Sequence, residues 1–207
     1  MHERPVSGAS VVAALAPPPM LQLRQATRLV HKRIEASLPV LDPHLTRERY
    51  TRVVEALHGF YAAVEPMVAD ALACGDDRWR QHAKLPLLAT DLRALGRAPD
   101  HIDRLPRCTT MPYPRTASHA LGILYVLEGA TLGGQIIAKS LRARLAIEVD
   151  TGAAFFHGYG DATGSMWSRF SEHVDRSASI QTDAAISAAI ETFQTLTQWL
   201  DTALAES

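Results

Sequence analysis

The chain has 207 residues and a formal net charge of −1. That length can bury one sizeable core, and the balanced charge marks neither a nucleic-acid-binding surface nor a strongly basic membrane-binding face. The two cysteines, Cys74 and Cys108, form no Cys-x-x-Cys pair, which excludes a zinc knuckle and a disulfide framework and points to a reducing compartment.

Near the N-terminus, residues 11–16 resemble a short signal core, and Ala14-Leu15-Ala16 a cleavage site. Pro17 directly follows, and Arg4 is the only basic residue before it, so residues 1–20 are expected to be a disordered tail rather than a leader. No unbroken apolar run approaches the roughly 18 residues of a membrane helix. The expectation is a cytoplasmic protein with no membrane or nucleic-acid partner.

From residue 21 to 207 the hydrophobic period predicts one all-α domain. Leu23, Thr27, Val30, His31, Ile34 and Leu38 share one side of a first helix that Pro39 ends. Tyr50, Val53, Leu57, Phe60, Tyr61 and Val64 form the stripe of a second, which Pro66 should stop or kink, because proline lacks an N–H and clashes with the preceding turn. A third is expected over residues 76–95, broken at Pro86 and capped by Gly96. Pro99, Pro106, Pro112 and Pro114 mark a loop. A long apolar helix follows over 116–146, and another over 163–174. The last carries Ile186, Ile190, Phe193, Leu196, Leu200 and Leu204, with Thr182 as its N-cap. Phe155-Phe156 lies in a glycine-rich connection between Gly152 and Gly164, and no stretch alternates as a strand does.

The long helix contains Leu127-Glu128-Gly129-Ala130-Thr131-Leu132-Gly133-Gly134. Three glycines in a helix interior cost roughly 3 kcal/mol relative to alanine, against a typical domain stability of about 5–15 kcal/mol. Gly129 and Gly133 share one face with Gly134 beside them, and the Gly133-Gly134 pair is a place to bend. A face without side chains admits either a neighbouring helix or a flat ligand, and the glycines alone do not choose between them.

A flat ligand needs a partner on its other side, and His31 is the candidate. Glu35, one turn on, is spaced to take the second ring N–H of a metal-ligating imidazole. Arg24 and Arg28 precede His31 on nearly the same face and suit carboxylates, which guanidinium grips with two parallel hydrogen bonds. A core or capping histidine beside a solvated basic face is the alternative.

Together these residues resemble the heme oxygenases. The resemblance rests on the glycine helix and on Thr27, His31 and Glu35 at four-residue spacing. Supporting stretches are Leu57-His58-Gly59-Phe60-Tyr61, Lys84 with the run Asp91 to Gly96, Phe155-Phe156-His157-Gly158-Tyr159-Gly160, and Thr163-Gly164-Ser165-Met166-Trp167. Most similar is the bacterial branch that accompanies bacteriophytochromes. The resemblance implies an all-α fold holding heme between a proximal N-terminal helix and a kinked, glycine-containing distal helix. It further implies conversion of heme to biliverdin, CO and iron with O2, a ferredoxin- or flavoprotein-type electron donor, and a bacteriophytochrome as bilin acceptor. By position, His31 is the implied iron ligand, with Glu35 and Thr27 beside it. Gly129, Gly133 and Gly134 form the implied distal backbone, and Arg24 and Arg28 lie toward the propionates. Apart from the resemblance, Trp167 and Arg169 are candidates to line the pocket or meet a propionate. One departure stands out. Many relatives carry an acidic residue after the first distal glycine, where this chain has Ala130, and Thr131 is the nearest polar substitute.

Three other readings remain. A non-catalytic heme or bilin carrier would use the same pocket, a structural helical module would pack the glycine face on another helix, and a di-iron oxidase would need two Glu-x-x-His units. Glu55 with His58 is the one such unit found.

Overall fold

The computed structural model describes residues 16–72, 82–177 and 179–205. These contain no strand and form eight α-helices: α1 (Pro19–Ser37), α2 (Arg47–Leu72), α3 (Leu85–Ala94), α4 (Pro99–Asp103), α5 (Ala117–Leu145), α6 (Ala154–His157), α7 (Thr163–Arg176) and α8 (Thr182–Ala205). Residues 1–15 and Cys74 lie outside the described residues.

The helix α1 begins at Pro19, where a missing N–H costs nothing, and its Met20 N–H is taken by Asp175 of α7 at 2.9 Å. It ends before Pro39, as expected. Its buried stripe is narrower than the sequence implies: Leu23, Thr27 and Ile34 are buried, while His31 is exposed. Of the stop or kink expected at Pro66, the stop does not occur, and α2 runs through it to Leu72. Pro66 is exposed, while Val64 and Val68 on either side are buried. Their burial offsets an interior proline's cost of about 3 kcal/mol.

Where residues 76–95 were expected to form a helix broken at Pro86, the described helix starts at Leu85 with Pro86 inside its first turn, because proline is tolerated there. The part of that expectation before residue 82 lies outside the described residues. Gly96 ends α3 with φ 93°. The proline-rich loop also holds one short helix, α4, opened by Pro99.

The long helix α5 is unbroken across its glycines. Thr116 caps its start by accepting the His119 N–H at 3.3 Å, and Ala146 leaves its end in the left-handed region at φ 50°. By length and composition α5 could cross a membrane, with a mean hydropathy of 1.4 over its most apolar window. The sequence reading missed this because it required an unbroken apolar run. Here the first half of α5 is core: residues 120–128 are all buried. The helix packs chiefly on α8 and α6, and also touches α2 and α7. Small residues on α8, Ala185, Ala188 and Ala189, are buried. At Gly122 a Cβ would collide with the Ala185 carbonyl, so glycine there is what lets α5 and α8 close together. The same α8 packs along α1, and so carries α1 and α5 on one support.

Candidate functional site

The open face of α5 defines the site. A Cβ at Gly129 or Gly133 would meet nothing within 4 Å, and Gly133 is solvent-exposed. At about 100° per residue, Tyr125, Leu132 and Ile136 fall on that same side. Leu132 and Ile136 are large apolar side chains left 41% and 65% exposed. Bare backbone flanked by exposed apolar side chains is the chemistry of a groove for a flat, largely apolar ligand.

The other side of α5 is bound down. Gln135 Nε2 donates to the His157 carbonyl at 2.7 Å, while the Thr131 hydroxyl donates back to the Glu128 carbonyl of α5 itself at 2.7 Å. Gly134 lies under the Phe156 carbonyl, where a Cβ would approach to 2.5 Å. The two readings of the glycines therefore divide between them. Gly134 serves close packing, and Gly129 with Gly133 keeps a face clear. Gly134 is not part of the open face, because it lies about 100° beyond Gly133 and toward α6. Thr131 is buried on the bound side, so it does not replace an acidic group at Ala130, which is exposed.

The helix α1 meets α5 through Thr27, whose hydroxyl donates to the Leu23 carbonyl at 2.8 Å and lies 3.3 Å from the Tyr125 hydroxyl. One turn on, His31 stands edge-on to Phe193 of α8, with ring centroids 5.6 Å apart. Its Nδ1 lies 3.5 Å from Glu35 Oε1, which leaves Nε2 for a ligand. The His31 side chain is 51% exposed, as an accessible ligand must be. Arg24 and Arg28 are both exposed on α1 and form no ion pair among the described residues. Trp167 of α7 lies 5.9 Å from the Tyr125 ring. Arg169, two residues further along α7, is exposed on the opposite side of that helix from Trp167. It is therefore not brought to this wall.

The residues on these two helices, which meet at Thr27 and Tyr125, are of the kinds that fit a heme. A nitrogen donor and two guanidiniums lie on α1, and a side-chain-free apolar face lies on α5. No group of three or more His, Cys, Asp or Glu that could hold a bare metal ion occurs among the described residues. Glu55, of the sole Glu-x-x-His unit, is taken up by Arg97 at 2.6 Å and His101 at 2.9 Å.

Sequence reasoning overlooked a sealed polar cluster behind α5. Lys84 and Glu128 are each 1% exposed, and Lys84 Nζ lies 2.7 Å from Glu128 Oε1. His82 Nδ1 lies 3.0 Å from the same oxygen. The Tyr159 hydroxyl donates to both carboxylate oxygens, at 3.0 and 3.1 Å. Burial works to raise the Glu128 carboxyl, yet His82 and Lys84 hold it below its usual value. Burial likewise raises Glu65, although it accepts the Lys84 and Leu85 backbone N–H groups at the start of α3. A lysine and a glutamate inside apolar runs were the available signal, but their meeting across 44 residues leaves no local pattern.

Residues 20–202 match the family model described as heme oxygenase. A heme oxygenase of Xanthomonas campestris is 33% identical over 103 residues, covering 49% of this chain and 58% of that relative, so the alignment spans little more than half its length. Among solved structures, the NO- and CO-bound heme oxygenase of Neisseria meningitidis superposes with a TM-score of 0.75 at 24% identity, covering 92% of this chain and 94% of that one. Heme oxygenase-1 of Synechocystis in complex with heme gives 0.68 at 16% identity, covering 90% and 92%.

Proposed function

Because this chain belongs to the heme oxygenase family, we propose that it is a heme-degrading enzyme that opens heme to biliverdin, CO and iron, using O2 and an external reductant. Heme, when bound, supplies both the iron that activates O2 and the ring that is cleaved. The observation that carries the reading is the division of α5 into a bound side and a bare one, with Gly129 and Gly133 uncovered beside the exposed Leu132 and Ile136.

In this reading His31 Nε2 holds the iron. The Glu35 carboxylate faces Nδ1 and accepts its N–H, which keeps its proton there and so fixes the ring's tautomer and orientation. Phe193 limits the imidazole's swing from the α8 side. Thr27 and Tyr125 close the junction between α1 and α5 and set the width of the groove at that point. Arg24 and Arg28 pair the propionates at the solvent edge. Gly129 and Gly133 let the α5 backbone approach the ring, while Leu132 and Ile136 exclude water from its apolar margin. Electrons come from a ferredoxin- or flavoprotein-type donor, and the bilin passes to a bacteriophytochrome. These two partners rest on the sequence resemblance.

A carrier reading has one observation in its favour: Ala130 places a methyl group on exposed α5 surface where many relatives hold an acid. Hemin titration followed by reductase and NADPH under air separates the two. The oxygenase reading expects a Soret band that decays as a broad red bilin absorption rises. Tight binding without bilin would establish a carrier, and no binding would return the glycine face to a structural role.

A further inference from the structure

The cluster behind α5 joins four parts of the chain. The Glu128 carboxylate belongs to α5, and Tyr159 to the connection between α6 and α7. Lys84 and His82 precede α3, and Lys84 Nζ also donates to the His82 carbonyl at 2.7 Å and to the Tyr159 hydroxyl at 2.6 Å. Glu65 of α2 anchors the Lys84 backbone N–H. The Lys84 ammonium also lies 4.3 Å from the centre of the Tyr159 ring.

Stability is a weak reason for such an arrangement. Removing two charges from water costs most of what their attraction returns, and apolar replacements of similar volume are often equally stable. Direction is what the charges add, since each hydrogen bond tolerates only a narrow range of distance and angle. Rotation of α5 about its axis would break the bonds of Glu128 to three side chains together. The same rotation would carry Gly129, the next residue, across the ligand face. Over the following two turns Gly134 packs against the Phe156 carbonyl and Gln135 donates to the His157 carbonyl on the same side of α5, so the cluster is one of a row of contacts that hold this side.

We propose that Glu128, gripped by Lys84, His82 and Tyr159, is a positioning residue that sets the rotation of α5 and thereby selects the carbon at which the bound macrocycle opens. This rests on the heme-cleaving reading above.

The test compares the full-length chain with three variants: the double replacement Lys84→Met with Glu128→Leu, the single Tyr159→Phe, and the conservative Glu128→Gln. Three quantities are read: apo melting temperature, the heme-methyl proton NMR pattern of the ferric hemin complex, and the ratio of biliverdin isomers by chromatography. The double variant should melt close to the parent and bind hemin. It should nevertheless show a second set of heme-methyl resonances and a changed isomer ratio. Tyr159→Phe should move both in the same direction by less, and Glu128→Gln should recover most of the parental pattern. Parental resonances and isomer ratio in both the double variant and Tyr159→Phe would overturn the proposal. If the double variant does not fold, Tyr159→Phe decides alone, and a parental pattern there overturns it. A parent chain that bound no hemin would sink the heme reading itself, an outcome distinct from a hemin-binding parent with indifferent variants.

Discussion

Gly134 lies so close beneath Phe156 that a Cβ there would come within 2.5 Å of the Phe156 carbonyl oxygen, whereas one at Gly133 would meet nothing within 4 Å. Neighbouring glycines in one helix therefore respond to the same substitution with opposite sign. Gly134→Ala should lower apo stability by about 1–3 kcal/mol, the usual range for overpacking against backbone that cannot yield. Gly133→Ala should raise it by up to about 1 kcal/mol through helix propensity, while weakening hemin binding because the new methyl enters the open face. Urea denaturation of the apo protein and hemin titration check both. Shifts of the same sign would show that α5 is not divided in this way.

His31→Ala should remove the nitrogen-ligated Soret spectrum and turnover, and added imidazole should restore the spectrum. Because His31 is half exposed, its loss should change apo stability by no more than about 0.5 kcal/mol. A variant keeping the parental spectrum and turnover would reassign the iron ligand.

Asp91 is fully buried and accepts the Ala154 and Phe155 N–H groups at 2.7 and 2.9 Å, starting α6 and so placing Phe156 over Gly134. Burial raises its carboxyl to about 6 from 3.8, although the two N–H donors pull the other way. The folded state then binds the proton more tightly than the unfolded chain does. The resulting stabilisation is fully present below the unfolded value and is lost as pH rises through about 6, a swing of roughly 3 kcal/mol. The stability of the parent minus that of Asp91→Asn should fall between pH 4 and pH 7 in denaturant melts. A rise across that window would mean that the N–H donors outweigh burial.

His58 should show the opposite slope. Its Nδ1 is buried with no hydrogen-bond partner among the described residues. Burial and then the Arg107 charge depress its basicity, with Asp103 opposing. The unfolded chain therefore binds the proton more readily. The stabilisation is present above the unfolded value of 6.5 and is lost as pH falls toward the lower folded value. The stability of the parent minus that of His58→Phe should decline from pH 7.5 to 5. A flat difference would mean that water or local motion satisfies the ring.

Local signals carried much of this fold into view. The α7 start at Thr163, the α5 start beside Thr116 and the end of α1 before Pro39 all follow from short-range chemistry: proline and the helical period. Where a local rule competed with burial, burial prevailed, as at Pro66, where buried Val64 and Val68 carry α2 onward. Of the site, the sequence contained the His31–Glu35 pair and the glycines, because both are spacings within a single helix.

By itself, then, the sequence determined the all-helical architecture, since periodicity is readable within one helix, and its motifs carried the resemblance to the family. Only the tertiary structure decided which glycine faces open space and which a neighbour, that Arg169 lies on the far side of α7 from Trp167, and that Lys84 meets Glu128. Each of these depends on how a helix is rotated against its neighbours. That rotation is set by contacts between residues far apart in the chain, and no local pattern encodes it.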